Sequence, residues 1–115
     1  MKTSSFRLHA GPGRISIARG ARRVPGGFRV YKALAPGSWF KAVDEATYRR
    51  LYFDEILGRL DPAETWETLH RLAGEAEPVL MCWETLLRPG EWCHRRLVAE
   101  WFRDRLGSVV DELVA

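Results

Sequence analysis

Pro78-Val79-Leu80-Met81-Cys82-Trp83 is an unbroken apolar run closed at its two ends by carboxylates, Glu77 and Glu84. A strand with one face in water alternates apolar and polar residues, and an amphipathic helix repeats its apolar residues every three or four positions. This run does neither. Six apolar residues bounded by charge are too few for a buried helix and fit a strand covered on both faces, as in the interior of a parallel sheet. Pro89-Gly90 then breaks the chain. Leu97, Val98, Trp101 and Phe102 recur at helical spacing up to Gly107, a C-terminal stop, which predicts a helix over about 91–106. Ser108-Val109-Val110-Asp111-Glu112-Leu113-Val114 reads as a last edge strand. Strand, helix and strand in that order imply a crossover onto a parallel sheet.

Toward the N-terminus, Phe6 and Leu8, then Ile15-Ser16-Ile17, alternate with polar neighbours. They predict two short strands, about 4–8 and 14–18, joined through the breakers His9-Ala10-Gly11-Pro12-Gly13. Residues 20–38 hold four glycines and two prolines, too long a stretch for a tight turn. Arg22, Arg23, Arg29 and Lys32 are interleaved there with Tyr31 and Leu34-Ala35-Pro36, which marks a binding loop rather than a linker. Asp44 caps a helix of about 44–59 carrying Phe53, Ile56, Leu57 and Leu60. Asp61-Pro62 starts another, with Trp66, Leu69 and Leu72 as its buried stripe and an end near Gly74. The expected fold is a small single α/β domain over residues 1–115, with helices packed on a mostly parallel sheet of about four strands.

Apolar content of 46% and charged content of 29% are those of a globular protein, and no apolar run approaches the roughly 18 residues of a membrane span. Met1-Lys2-Thr3-Ser4-Ser5 is followed by no apolar leader segment, which predicts a cytoplasmic protein. In that compartment the two cysteines are expected as free thiols, although their spacing permits a Cys82–Cys93 bridge. The net charge of +3 is unevenly divided. Residues 1–50 carry eleven Lys/Arg against two Asp/Glu, and residues 51–115 carry seven against thirteen. The basic half either attracts anions or packs against the acidic half.

Ligands of open α/β sheets sit beyond the carboxyl ends of the strands. Cys82 and Glu84 fall at such an end, and Cys93, His94 and Arg95 open the next helix. The helix N-terminus carries partial positive charge and unpaired N–H groups, which attract anions and lower a thiol pKa. Cys93 is therefore a candidate nucleophile, with His94 or Glu84 as acid/base, Cys82 beside them and Arg95 on the anion. Packing explains some of these residues equally well. Buried free cysteine is common, and a histidine before Leu97 and Val98 leans toward the core. Glu84 is harder to bury unpaired, and a bidentate pair with Arg95 would serve it structurally. Cys82, Cys93 and His94 also offer metal-ligand atoms, but structural zinc needs four ligands, often in Cys-x-x-Cys pairs, and the neighbouring Cys93 and His94 would have to converge on one ion, so the reading commits to no metal and no cofactor.

Cys82-Trp83-Glu84 followed by Cys93-His94-Arg95-Arg96-Leu97 resembles the cysteine–aromatic–glutamate and cysteine-histidine-arginine signature of a bacterial and archaeal family, domain of unknown function 488. Ile15-Ser16-Ile17-Ala18-Arg19-Gly20, Tyr31 with Leu34-Ala35-Pro36, and Tyr48 with Tyr52 are similar to that family in the same order, over about nine-tenths of the chain. The resemblance implies a small cytoplasmic α/β protein of this prokaryotic type, with a shortened connection between the second strand and the first long helix. It implies a site of Cys82, Glu84, Cys93, His94 and Arg95, joined by Ser16 and Arg19. It supplies no substrate.

Three functions fit these residues. The first is an enzyme acting on a small anionic or nucleotide-like ligand, bound by Arg19 and Arg95 with Ser16 and Tyr31 nearby. The second is a nucleic-acid-binding protein that uses the arginines of residues 14–32 with Phe28, Tyr31 and Trp39. The third is a structural or partner-binding domain in which the cysteine–glutamate–histidine–arginine cluster is a buried polar network.

Overall fold

The computed structural model describes residues 1–20 and 27–113. Five strands among them form one sheet: β1 (Lys2–Ser5), β2 (Arg14–Ser16), β3 (Arg29–Val30), β4 (Val79–Cys82) and β5 (Asp111–Glu112). Their order is β3-β2-β4-β1-β5, and every pairing is parallel. The apolar run thus becomes the central strand, with all four residues of β4 buried. Lys2 to Ser5 register with Val79 to Cys82 on one side, and Arg14 to Ser16 with Val79 to Met81 on the other.

The fold is the small parallel α/β domain expected, with differences at its edges. The first strand lies at Lys2–Ser5 instead of about 4–8, because its burial is carried by hydroxyls rather than apolar side chains. Thr3, Ser4 and Ser5 are all buried, and each donates: Thr3 to Glu112 Oε1 at 2.6 Å, Ser4 to the Leu113 carbonyl at 2.9 Å, Ser5 to the Trp83 carbonyl at 3.0 Å. Buried polar groups are tolerated when paired in this way. The first two strands do not touch, since β4 lies between them. The strand beyond the four expected, β3, is two exposed residues inside the segment read as a loop. The last strand shrinks to Asp111–Glu112.

Helix α1 (Glu45–Leu51) is capped by Asp44, whose side chain accepts from the Thr47 amide at 2.8 Å. It does not run regularly to 59. A π-turn at Tyr52–Ile56 and a 3₁₀ turn at Leu57–Arg59 follow, and the wider turn keeps both Tyr52 and Leu57 in the core. Helix α2 (Pro62–Ala73) begins as expected, with Asp61 accepting from the Glu64 amide at 2.9 Å. Helix α3 (His94–Leu106) stops at Gly107, in the left-handed conformation with φ of 68°. It starts at 94 rather than 91 because Cys93 takes the extended N-cap conformation. Ile15, Ile17, Leu34, Tyr52, Leu57, Leu69, Leu80, Val98 and Phe102 fill the space between sheet and helices. No helix among the described residues is long and apolar enough to cross a membrane.

Candidate functional site

From β2 the chain moves outward to β3 on one side; from β4 it passes through α3 to β5 on the other. Neighbouring strands whose continuations part in this way leave a crevice at their carboxyl ends, the usual ligand position in an open parallel sheet. A cleft of about 670 Å³ occupies that place. Ala18 and Arg19 enter it from the end of β2, Cys82, Trp83 and Glu84 from β4, and Trp92, Cys93 and His94 from the approach to α3. Four of the sequence-chosen residues at the tip of β4 and the start of α3 therefore do share one cleft.

Cys82 and Cys93 are joined by a disulfide, with their Cα atoms 7.6 Å apart. This corrects the expectation of two free thiols, which rested on compartment alone. The fold sets the last residue of β4 beside the N-cap of α3, and the sulfurs meet there. His94 is buried behind them, with Nδ1 3.6 Å from Cys93 Sγ. Its Nε2 is 2.7 Å from the Ile17 carbonyl. A carbonyl only accepts, so Nε2 carries the hydrogen and Nδ1 has a free lone pair. Burial pushes His94 down to about 4, against the opposing pull of the Ile17 carbonyl and with Arg95 adding to the drop. The imidazole is therefore neutral at pH 7, a good acceptor or ligand and a poor proton store. Burial likewise raises the phenols of Tyr48 and Tyr52, which stand against the same ring.

Arg95 does not reach the cleft as an anion-binding group. It is fully buried. Its Nε and Nη2 donate to the two Glu112 oxygens at 3.0 and 2.7 Å, and its Nη1 donates to Cys82 Sγ at 3.1 Å. The bidentate partner is thus Glu112 on the edge strand, not Glu84. Glu84 stands exposed on the cleft wall. Arg96 is structural too, donating to Thr3 Oγ1 and the Val110 carbonyl, each at 2.9 Å.

From the first half, Arg19 lines the cleft, with its guanidinium 5.5 Å from the Phe40 ring centre and one N–H on the Pro36 carbonyl at 3.3 Å. Ser16 is buried outside the lining, its Oγ accepting from the Ala18 amide at 3.4 Å. Tyr31 packs on the core, and its amide donates to the Ser16 carbonyl at 2.9 Å. Arg22 and Arg23 lie outside the described residues. The walls add Tyr48 and Trp83, which carry part of the family resemblance, and Arg7, Phe40, Lys41 and Trp92, which no sequence motif marks. Adjacency to Cys82 and Cys93 was the available signal for the two tryptophans. Nothing local marks Arg7 or Lys41.

The aromatics proposed to stack on bases are otherwise engaged. Phe28 packs on Phe6, and Trp39 meets Tyr48 edge-on and donates to Glu55 at 3.3 Å. Arg14 is buried and donates to the Gly27 carbonyl at 2.8 Å.

Fold and site together define a small parallel α/β domain with a ligand-sized cleft at the parting of two interior strands. No protein-family model, curated protein or solved structure matches the chain.

Proposed function

We propose that the protein is an enzyme acting on a small anionic, ring-bearing ligand of nucleotide type, held in the cleft between the ends of β2 and β4. The observation that carries this is the composition of the walls at the strand ends: three cations, Arg7, Arg19 and Lys41, facing the same space as Phe40, Trp83 and Trp92. Cations take the negative group, and aromatic faces take a ring. Arg19 and Lys41 already lie within 5.5 Å of the Phe40 ring centre, so charge and ring surface are adjacent. Proton exchange falls to Glu84, the exposed carboxylate on the wall; the other, Glu91, accepts from the Arg88 amide at 2.9 Å. His94 is neutral and committed to Ile17, and the Cys93 sulfur is bonded to Cys82. Phe28, Tyr31 and Trp39 line no part of this cleft, which weighs against the nucleic-acid reading. The Arg95–Glu112–Cys82 contacts are a buried polar network that holds the floor of the cleft.

Calorimetric titration with nucleoside phosphates tests the reading. Arg19→Ala/Lys41→Ala is expected to weaken binding at least about tenfold, since one charge-assisted hydrogen bond is worth about 1.5–3 kcal/mol. Both residues are exposed, so the fold stays intact. Glu84→Gln keeps the ligand and loses turnover. Unchanged affinity in the double variant, or no binding of any nucleoside phosphate by the wild type, overturns it.

A further inference from the structure

Three soft or borderline donors converge at the floor of the cleft. Cys82 Sγ, Cys93 Sγ and a ring nitrogen of His94 all lie within 4.8 Å of one another. The sequence left metal aside because neighbouring Cys93 and His94 must turn toward one point, and in the fold they do. We propose that the dithiol form of this protein binds a zinc-type divalent ion through Cys82 Sγ, Cys93 Sγ and His94 Nδ1, with the fourth position open to the cleft.

Four observations support the donor set. On a tetrahedral zinc with Zn–N near 2.0–2.1 Å and Zn–S near 2.3 Å, a nitrogen and a sulfur ligand stand about 3.6 Å apart. The Nδ1–Sγ distance of His94 and Cys93 is 3.6 Å. The second nitrogen of His94 is fixed on a backbone carbonyl, Ile17, the arrangement that orients most metal-binding histidines. Arg95, locked by Glu112, sets an N–H 3.1 Å from Cys82 Sγ, an outer-shell donor of the kind that orients a ligating atom. The Cα atoms of the cysteines are 7.6 Å apart, beyond the roughly 4.4–6.8 Å usual for a disulfide, and that spacing leaves room for an ion between two sulfurs about 3.8 Å apart. The donor set of two thiolates and one imidazole with an open position is that of a catalytic rather than a closed structural zinc site.

Disulfide and metal are alternatives at the same sulfurs. A dithiol reductant gives two electrons and two protons to the Cys82–Cys93 bond and is itself oxidised to a disulfide. Each thiol then loses its proton as the ion binds, so two protons are released per metal. The metal site stands apart from the anion proposal, since it needs neither Arg19 nor Lys41.

The test uses the full chain, reduced and freed of reductant under anaerobic conditions, titrated with Co²⁺ and then Zn²⁺. One Co²⁺ per chain is expected, with thiolate-to-metal charge-transfer absorption and tetrahedral d–d bands that zinc abolishes. The oxidised chain, which needs no substitution, is expected to show no such absorption. Cys82→Ser and Cys93→Ser each weaken binding by at least about tenfold. Should reduction unfold the chain, zinc-driven refolding supports the site. Absence of metal binding or of zinc-driven refolding overturns it. Cobalt bound without thiolate absorption, or equal binding by the oxidised chain, also overturns it.

Discussion

Replacing Glu112 by alanine strips the carboxylate from a guanidinium with no exposed surface. Arg95 loses both bonds of the bidentate pair, at 3.0 and 2.7 Å, and Thr3 loses its acceptor. A buried ion left without its partner costs about 3–5 kcal/mol. The Glu112 side chain keeps 15% of its exposure, so some water reaches the vacated side, and the lower end applies, about 3 kcal/mol. With an unfolding entropy near 2.1 cal/mol/K per residue, a chain of 115 residues loses about 12 °C of Tm. Paired urea and calorimetric unfolding read this directly. Arg49→Ala supplies the contrast: its pair with Glu100 has a half-exposed guanidinium and is worth at most about 1 kcal/mol. A Glu112→Ala protein within about 0.5 kcal/mol of wild type would refute the claim that this pair fixes Arg95 beneath Cys82.

His94 makes stability depend on pH. Below about 6.5 the unfolded chain protonates this imidazole, while the folded chain refuses the proton until about 4. Stability therefore falls as pH drops through that window, by up to about 3 kcal/mol, and is unaffected above it. Burial, to which the rings of Tyr48 and Tyr52 contribute, chiefly holds the imidazole neutral; Arg95 adds to it and the Ile17 carbonyl opposes it. His94→Gln should shrink the difference between the urea midpoints at about pH 7 and about pH 5, and an unchanged difference would sink this account. Reduction of the Cys82–Cys93 bridge, which closes a separation of 11 residues, should cost about 3 kcal/mol in metal-free buffer, read from urea midpoints with and without reductant. Coincident midpoints would contradict it. Gly13 has φ of +80°, and a Cβ there would sit 2.0 Å from the Glu77 carbonyl oxygen. Gly13→Ala is expected to lose at least about 2 kcal/mol, because the backbone at the start of β2 must shift off β4. Native circular dichroism and an unchanged Tm would count against it.

Where one chemical pattern fixes one structural role, the sequence was legible. The run from Pro78 to Trp83 has no polar residue to turn toward water, so only an interior strand accommodates it. Asp61-Pro62 and Gly107 mark helix ends through local backbone chemistry that tertiary contacts do not override. The convergence of Cys82, Cys93 and His94 follows from those elements, because a strand end and the next helix start must lie at one edge of a parallel sheet. The first strand was misplaced because Thr3, Ser4 and Ser5 are buried by hydrogen bonds, which leave no hydrophobic signal. Arg95 was sent to the ligand because its partner, Glu112, lies 17 positions away on a strand two residues long. Arg7 and Lys41 reach the cleft only through the path of the chain around β2 and β4, which no local pattern encodes.

The most direct test of the cleft is an amide ¹H–¹⁵N NMR titration of the labelled protein with a nucleoside monophosphate. Saturable shifts are expected at Ala18 to Gly20, Lys41, Trp83, Glu84 and Trp92 to His94. Shifts confined to Arg29 and Lys32, or no saturable shift at all, would contradict a ligand site at the parting of β2 and β4.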